Sequence, residues 1–490
     1  MLLSAIDFYS QEKVFSTGIN AHFRCMKIEQ IYTGCLAEAA YYVESNGECA
    51  IIDPLRETLP YISRAEKNNA KIKYVFETHF HADFVSGHLE LSQKTGAKIV
   101  YGPNADCHFD CISAKDGDEF SIGKIKLRVL HTPGHTPESA TYLLIDENGK
   151  EHCIFTGDTL FIGDVGRPDL AIAGNVTKED LAGMLFDSLR NKIMPLPDEV
   201  IVYPAHGAGS ACGKNMSKET FDTLGHQKQV NYALQNISKE EFVKQLTEGI
   251  ASAPQYFSKN AMMNKQGAGK LDEVYSHGLK KLSPAEFETA AEETSALILD
   301  TREAQVFCKG FVPGSVNIGL SGQFAVWVGT LITDLNQPIL LVCDEGKEEE
   351  CVMRLARVGY DNTLGYLNGG MEEWKKSGRN AETILSISAN EFSSQYNNET
   401  NVLDVRRVNE FEDEHVTEAE SRPLDFINDW TSEIDKNKTY FIHCAGGYRS
   451  MVAVSILKAR GFNNLIEVAG GYAALAKTNI SKTNLITELK

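Results

Sequence analysis

Three side chains that can bind a metal ion, His79, His81 and Asp83, lie within five residues of the sequence. They come just after an apolar run at residues 74–76, which is typical of a β-strand. Imidazole and carboxylate groups together bind iron, zinc or manganese, so residue type alone does not choose the metal. The cluster therefore indicates a metalloenzyme.

Further candidate ligands lie elsewhere in the first half of the chain. His135, Asp158 and His206 each come just past another hydrophobic run. Loops that follow strands of one domain can converge, so we expect these side chains to share one metal site. Ordinary hydrogen-bonding loop residues would not explain the whole ordered set.

A cysteine also lies in a sequence that suits nucleophilic chemistry. Residues 439–457 predict a strand, a six-residue loop with glycines and a helix, and Cys444 begins the loop. Backbone amides and the positive end of the helix dipole would point at its sulfur, and Arg449 would add a full positive charge. We therefore expect Cys444 to be a thiolate at neutral pH and a nucleophile.

The region around Cys444 repeats an earlier part of the chain. Three landmarks recur at offsets of 104, 101 and 101 residues, which indicates two tandem domains of about one hundred residues. Each predicts a strand, loop, helix and strand, and hence a parallel α/β domain. The landmarks are Asp300-Thr-Arg302 with Asp404-Val-Arg406, Cys343 with Cys444, and Gly369-Gly370 with Gly470-Gly471.

The first repeat differs from the second in the loop that follows its cysteine. Cys343 precedes Asp-Glu-Gly-Lys-Glu-Glu-Glu350, and Glu348 stands where the second repeat has Arg449. Carboxylates near a sulfur disfavour the thiolate and repel anionic sulfur compounds. We expect a catalytically degenerate repeat, retained as a spacer or a packing surface between domains.

Composition excludes several classes of function. The chain has 48 Lys and Arg against 67 Asp and Glu, a net charge of −19, with no basic cluster for nucleic acid. The eleven cysteines are scattered, without Cys-x-x-Cys, which indicates a reducing cytosol rather than a disulfide scaffold. The N-terminus does not resemble a secretory signal, and no apolar run approaches the ~18 residues of a membrane span. We expect a cytoplasmic protein with no membrane partner.

The 490 residues are long enough for roughly three domains. Short apolar strands alternate with helical stretches in residues 22–250, which indicates an α/β domain. Residues 251–281 show little periodicity and are predicted to be a connector, followed by the degenerate repeat at 282–382 and the active repeat at 383–488. In the first domain the predicted strands are 50–52, 98–101, 126–130, 140–145 and 199–203, and the predicted helices are 86–95 and 178–192.

The ordered ligand set resembles the metallo-β-lactamase fold, an αββα sandwich, and the motifs at residues 77–88, 163–169 and 203–210 resemble its persulfide dioxygenases. Phe84 stands where dinuclear members carry a histidine, which favours one metal ion. The resemblance implies that Fe(II) is held by three residues and surrounded by three others. The implied ligands are His79, His135 and Asp158, and the surrounding groups are His81, Asp83 and His206.

The same resemblance implies that Arg167 and Tyr203 line the site and bind substrate. An arginine can grip a carboxylate of a thiol carrier, and a tyrosine hydroxyl can orient sulfur or oxygen. By residue type alone, the alternative is a loop-fixing arginine and a core tyrosine. Cys35 and Cys212 receive no role, because a lone cysteine is more often a small buried hydrophobic residue.

The Cys444 loop, with Asp404-Val-Arg406 and Gly470-Gly471, resembles a rhodanese domain, in which a cysteine carries a persulfide. The first repeat is similar to the same family, so the expected architecture ends in two rhodanese-like parallel α/β domains. The whole order resembles the bacterial persulfide dioxygenase–sulfurtransferase fusions of sulfide detoxification. That resemblance implies oxidation of a low-molecular-weight thiol persulfide by O2 to sulfite, and transfer of sulfur from Cys444 to sulfite, giving thiosulfate.

Several alternatives stay open at this stage. The thiol carrier could be glutathione, coenzyme A, bacillithiol or cysteine, and the resemblance also leaves a homo-oligomer open. A zinc thioester hydrolase of the glyoxalase II type, with Zn(II) in place of iron, is the leading rival. A non-enzymatic sulfur carrier with a structural metal is less favoured, because structural zinc sites are often rich in cysteine and no cysteine accompanies these ligands.

Overall fold

The computed structural model describes residues 26–171, 176–250 and 253–484. The chain divides into two compact units, residues 1–271 with 357–359, and residues 272–356 with 360–490. The predicted boundaries at residues 22, 251 and 488 lie outside the described residues. Among the helices of the described ranges, none is both long and apolar enough to cross a membrane.

The first unit contains two six-stranded sheets. In the first sheet, the strands pair in chain order from β1 to β6, and in the second they pair in chain order from β7 to β12. These strands are β1 Lys27–Thr33, β2 Glu38–Ser45, β3 Glu48–Ile52, β4 Lys71–Phe76, β5 Lys98–Tyr101, β6 Ile112–Ser113, β7 Glu119–Ile122, β8 Ile125–His131, β9 Ala140–Ile145, β10 Glu151–Gly157, β11 Ile201–Pro204 and β12 Asp222–Thr223.

Helices cover the outer face of each sheet. They are α1 Leu59–Lys67, α2 His88–Thr95, α3 Lys178–Ser188, α4 Leu224–Val230, α5 Lys239–Thr247 and α6 Phe257–Gln266, with a π-helical turn at Leu189–Ile193 and a 3-10 turn at Tyr232–Leu234. Helix α3 begins at a capping box, in which Thr177 and Asp180 satisfy each other's free backbone amides.

Three buried clusters hold these layers together. Between the sheets, Tyr41 and Phe76 of the first sheet pack with Tyr142 and Phe155 of the second. Side chains of α1 and α2 cover the other face of the first sheet, and those of α3 and α5 cover the second. Because each sheet is apolar on both faces, it is covered on both sides, and the predicted αββα sandwich is confirmed.

The second unit contains two five-stranded parallel sheets with the same strand order, β13-β17-β16-β14-β15 and β18-β23-β22-β19-β21, and a two-stranded sheet of β20 and β24. The predicted tandem parallel domains are therefore confirmed. Their strands are β13 Lys281–Leu282, β14 Leu297–Asp300, β15 Val316–Asn317, β16 Ile339–Val342, β17 Thr363–Leu367, β18 Leu385–Ser388, β19 Val402–Asp404, β20 His415–Val416, β21 Ala419–Ser421, β22 Tyr440–His443, β23 Leu465–Ala469 and β24 Lys482–Thr483.

In both repeats, the first helix begins at a capping box. Ser283 and Glu286 form a capping box at the start of α8, and Ser388 and Glu391 form one at the start of α13. The helices are α7 Leu271–Gly278, α8 Pro284–Thr294, α9 Ala304–Phe307, α10 Phe324–Leu331, α11 Glu348–Arg357, α12 Gly370–Lys376, α13 Ala389–Gln395, α14 Val408–Asp413, α15 Ile427–Trp430, α16 Tyr448–Ala459 and α17 Gly471–Leu475, with 3-10 turns at Leu424–Phe426 and Thr431–Glu433.

The structure departs from the sequence expectations in two places. The predicted connector is largely helical, since it contains α6 and α7. The polar residues of this stretch obscured its helical pattern, because α6 buries asparagines as well as apolar side chains. Cys107 and Cys111 form a disulfide, against the expectation of reduced cysteines, although the other eight described cysteines are free.

Candidate metal centre and sulfur-transfer loop

The candidate metal ligands follow four strands of the first unit. His79 lies just past β4, His135 past β8, Asp158 past β10 and His206 past β11. The turn after β10 needs a glycine, because Gly157 has a φ of +53° and a Cβ there would lie 2.5 Å from Oγ1 of Thr78. The four loops thus converge, as the sequence predicted, although they come from both sheets.

His79, His135 and Asp158 form one buried group whose potential ligand atoms all lie within 4.8 Å of one another. Oδ2 of Asp158 is 3.4 Å from Nε2 of His135 and 3.9 Å from Nε2 of His79. These separations leave space for an ion between the three side chains and are longer than direct hydrogen bonds.

The opposite ring nitrogens of both histidines are already engaged. Nδ1 of His135 lies 2.7 Å from the carbonyl oxygen of Arg167, and Nδ1 of His79 lies 3.0 Å from Oγ1 of Thr78. Metal-binding histidines are held in this way, because the second contact fixes the ring and its tautomer. Each Nε2 is therefore directed at Asp158.

The residues fit a bound cation on two further grounds. Both carboxylate oxygens of Asp158 are buried without a hydrogen-bond partner in the described structure, and a buried charge without a partner is costly. Burial, with the neighbouring rings of His81, His135 and His206, holds the pKa of His79 well below its usual range. His79 is then the neutral imidazole that a metal needs.

His81, Asp83 and His206 form a second buried group beside the first. Nε2 of His206 lies 3.5 Å from Oδ2 of Asp83 and 3.5 Å from Oδ1 of Asp158. His81 also faces Asp53, with 3.0 Å between its Nε2 and Oδ1. Although burial alone would lower the pKa of His81, the carboxylates of Asp53 and Glu77 raise it well above its usual range.

Phe84, which the resemblance placed where dinuclear members of the fold carry a histidine, is fully buried. Its ring stacks on His81 with 4.3 Å between the centroids. A phenyl ring offers no ligand atom, so it contributes packing and no coordination at this place.

Arg167 is buried at the edge of the metal cluster, but its guanidinium is already paired. Nε and Nη2 bind the two carboxylate oxygens of Asp169 at 2.6 and 2.7 Å. A substrate carboxylate would have to compete with Asp169 for this side chain. The backbone carbonyl oxygen of Arg167 contacts the ligand set directly, through His135.

The ring contacts that the structure shows for Tyr203 are with other aromatic side chains. Its ring stacks on Phe155 at 5.7 Å and also contacts Tyr41 and Phe221. Burial raises the pKa of its hydroxyl to about 12. This position favours a packing role, and a substrate contact of Tyr203 stays a prediction.

Near this centre, the sequence analysis missed Asn264 and gave Cys212 no role. Asn264 of α6 is buried, and its Nδ2 donates to the carbonyl oxygens of His81 and Phe84, both at 2.7 Å. No local signal indicated this, because Asn264 follows the motif by about 180 residues. The thiol of Cys212 groups with Asp158 and His206. Its only sequence signal was its place six residues after His206.

The Cys444 loop lies between β22 and α16 in the second unit. The amide of Gly447 donates to Sγ of Cys444 at 3.1 Å, and Oγ of Ser450 lies 3.6 Å from the same sulfur. Gly447, with a φ of 105°, precedes the first residue of α16, so the helix N-terminus lies beside the sulfur. The predicted order of strand, loop and helix is therefore confirmed, but α16 begins at Tyr448, so the loop has four residues rather than six and Arg449 lies in the helix.

The charge of Arg449 is balanced by a residue whose role the sequence did not disclose. Nη1 and Nη2 of Arg449 bind the two carboxylate oxygens of Glu410 at 2.6 and 2.8 Å. This hydrogen bonding lowers the pKa of Glu410. An anion that reaches Arg449 must therefore compete with a carboxylate that is ionised at neutral pH.

The corresponding loop of the first repeat is different. A hydrogen bond with Cys351, followed by burial and the charge of Glu348, raises the pKa of the Cys343 thiol. These neighbours disfavour the thiolate, as expected, but the acidic run contributes through Glu348 only after Cys351 and burial.

Comparisons with known proteins match four stretches of the chain to two family models. Residues 33–110 and 112–206 match the metallo-beta-lactamase superfamily, and residues 283–377 and 388–478 match the rhodanese-like domain. The chain is 32% identical over 203 residues to the mitochondrial persulfide dioxygenase ETHE1 of Homo sapiens, covering 40% of this chain and 70% of that protein. It is 34% identical over 186 residues to the cytoplasmic hydroxyacylglutathione hydrolase of Arabidopsis thaliana, covering 37% of this chain and 67% of that protein.

A solved structure extends the similarity beyond the first domain. A metallo-beta-lactamase from Staphylococcus aureus subsp. aureus COL superposes with a TM-score of 0.62 at 30% identity, covering 70% of this chain and 99% of that one. The similarity is therefore one of fold as well as of motif.

Proposed function

Because the chain belongs to the metallo-β-lactamase superfamily and carries two rhodanese-like domains, we propose that it is an Fe(II)-dependent persulfide dioxygenase coupled to thiosulfate-forming sulfur transfer. We assign the oxidation to residues 22–250, a degenerate role to 282–382, and sulfur transfer to 383–488. The observation that carries the proposal is the presence, in one chain, of a cluster of two histidines and one carboxylate together with an intact Cys444 loop.

His79, His135 and Asp158 would hold the iron and leave about three positions free for reactants. Bound Fe(II) would supply the redox chemistry by which a thiol persulfide, O2 and water give the thiol, sulfite and two protons. The chain would contribute orientation: Arg167 holds His135 through its carbonyl, and His206 lies beside Asp158, with 3.5 Å between Nε2 and Oδ1. Asn264 fixes the backbone at His81 and Phe84.

Sulfur transfer would follow at Cys444. Its thiolate attacks the terminal sulfur of a second persulfide, the carrier thiol leaves, and the sulfane sulfur stays on Cys444. Sulfite then attacks that sulfur, thiosulfate leaves, and the thiolate is restored. The amide of Gly447, 3.1 Å from the sulfur, stabilises its negative charge, and Arg449 attracts the anionic acceptor.

Oxygen uptake by anaerobically prepared, iron-loaded protein tests this proposal, with glutathione persulfide as substrate and both sulfite and thiosulfate assayed. We expect uptake with both products in the wild type. Asp158→Asn should lose uptake and products together, whereas Cys444→Ser should keep uptake and release sulfite without thiosulfate above the uncatalysed rate. No uptake by demonstrably iron-loaded protein, with glutathione, coenzyme A, bacillithiol and cysteine persulfides, would reject the dioxygenase.

A zinc-dependent thioester hydrolase of the glyoxalase II type is the second candidate. The observation that favours it is the similarity to a hydroxyacylglutathione hydrolase, at 34% identity, alongside that to a persulfide dioxygenase at 32%. Hydrolysis of a glutathione thioester by zinc-loaded protein, without oxygen uptake by the iron-loaded form, would establish this alternative. The phenyl ring of Phe84 argues against a dinuclear version of it.

A further inference from the structure

The catalytic loop of the second repeat contacts the first repeat through Tyr448. This tyrosine is the first residue of α16, four residues after Cys444. Its hydroxyl donates to the carbonyl oxygen of Gly319 at 2.8 Å, across 129 residues of sequence. The contact ties the start of the helix to the segment that follows β15.

The segment at residues 317–322 is shaped to receive this ring. A Cβ added at Gly322 would lie 2.5 Å from Cε2 and 2.6 Å from Cζ of Tyr448, and one at Gly319 would lie 3.5 Å from Cε2. Neither glycine has a positive φ, so the backbone itself does not require glycine there. Close approach of the Tyr448 ring is the feature that a side chain would disturb at Gly322.

The receiving segment is itself held from within the first repeat. Nδ2 of Asn317 donates to the carbonyl oxygens of Asp300 and Arg302 at 3.0 and 2.9 Å. Nη1 of Arg354 donates to the carbonyl oxygen of Leu320 at 2.7 Å, and Arg354 is paired with Glu350 at 2.6 Å. Glu350, which belongs to the acidic run of this repeat, therefore helps to hold the receiving segment through Arg354.

A second contact joins the same segment to the middle of α16. The amide of Asn317 donates to Oγ of Ser455 at 2.9 Å. Both partners are buried, so the bond is shielded from water. Two points along α16 are thus fixed by the first repeat.

We propose that the first rhodanese-like repeat is a positioning element for the Cys444 loop, in which the segment at residues 317–322 holds Tyr448 and so fixes the N-terminal turn of α16 against the sulfur. The inference rests on the proposed sulfur-carrying role of Cys444. It gives the degenerate repeat a task that requires none of its own catalytic chemistry. Tyr448 is a positioning residue, because its contacts act through the helix and the Gly447 amide.

Alkylation of Cys444 in the full-length chain tests the proposal. Iodoacetamide labelling is followed at Cys444 by peptide mass spectrometry across a pH series, in two variants. Gly322→Ala pushes against the ring, and Tyr448→Phe removes only the bond to Gly319. We expect Gly322→Ala to slow labelling at neutral pH about tenfold and to move its pH profile up by about one unit, with a smaller shift of the same sign in Tyr448→Phe.

The double variant separates positioning from unrelated damage. If both changes act through one contact, Gly322→Ala with Tyr448→Phe should slow labelling no more than Gly322→Ala alone. Ser321→Ala, at the exposed neighbouring residue, is the matched control and should label as the wild type. Wild-type labelling and pH profiles in both folded single variants, or fully additive effects in the double variant, would overturn the proposal.

Two outcomes are kept apart by this design. Should Gly322→Ala fail to fold, as judged by amide hydrogen exchange, Tyr448→Phe alone decides, and an unchanged pH profile then counts against the proposal. Should wild-type protein form no thiosulfate, the proposed function fails, yet labelling still reports whether the first repeat positions Cys444.

Discussion

The Cys343 and Cys444 loops occupy equivalent places in two sheets of identical strand order. Their supports are alike as well: Arg302 binds the carboxylate of Asp300, and Arg406 binds that of Asp404, each through two nitrogens. Cys343 is half-buried and Cys444 is 1% exposed, so exposure to solvent alone would favour reaction at Cys343. The difference in chemistry must come from the immediate neighbours of each sulfur.

Those neighbours act in opposite directions. Around Cys444, the Gly447 amide and the start of α16 place positive charge near the sulfur. Around Cys343, Cys351 and Glu348 hold the pKa of the thiol high. A few loop residues therefore set the charge around each sulfur, while the parallel sheet beneath them stays the same.

The largest expected effect is a contrast between the two cysteines. Cys444→Ser should lower thiosulfate formation by at least about 10³-fold, because the nucleophile is lost. Cys343→Ser should leave it unchanged. Thiosulfate production from sulfite and glutathione persulfide measures both, and a comparable loss in the two variants would show that the repeats are not functionally distinct.

The Asp–Arg pair that both repeats share should stabilise each repeat to a similar extent. Arg302→Met and Arg406→Met each leave a fully buried carboxylate unpaired, which should cost about 3–5 kcal/mol of local stability. Amide hydrogen exchange in peptides of each repeat measures this loss separately. If only the Arg406 variant lost protection, the degenerate repeat would not depend on the same internal scaffold.

Removing one negative charge should make the reactivity of Cys343 more similar to that of Cys444. In Glu348→Gln, the pKa of Cys343 should fall, because a negative charge that opposes its thiolate is gone. Alkylation of Cys343 should speed up about threefold at pH 8 and its pH profile should move to lower pH. The hydrogen bond with Cys351 and burial should still keep Cys343 less reactive than Cys444, and a reversal of that order would contradict our comparison.

The smallest expected effect concerns the binding of sulfite, the sulfur acceptor. Glu410→Gln removes the carboxylate that competes for Arg449, so the KM for sulfite should fall about twofold with little change in kcat. Since the pKa of Glu410 is lowered, its wild-type carboxylate is ionised throughout the neutral range, and the effect should not vary with pH there. Asp413→Asn on the same helix, at an exposed carboxylate, is a control for the general loss of negative charge.

Much of this molecule could be predicted because the relevant signals are local. The His79 to Asp83 spacing, the repeat offsets and the acidic run after Cys343 are all visible within short windows. Strand patterns also gave the order of the elements, and the predicted strand at 140–145 coincides with β9. The helices of the connector were missed, because α6 faces its neighbours with buried asparagines.

By itself, the sequence determined the ligand types, the two tandem domains and which cysteine has a suitable loop. Only the tertiary structure decided that Asn264 binds the backbone of the motif after β4 and that Tyr448 reaches Gly319. The physical reason is that spacing along a chain fixes what lies beside a residue within a turn or a strand. Contacts across 129 or 183 residues depend on how whole elements pack, and their side-chain partners carry no local pattern.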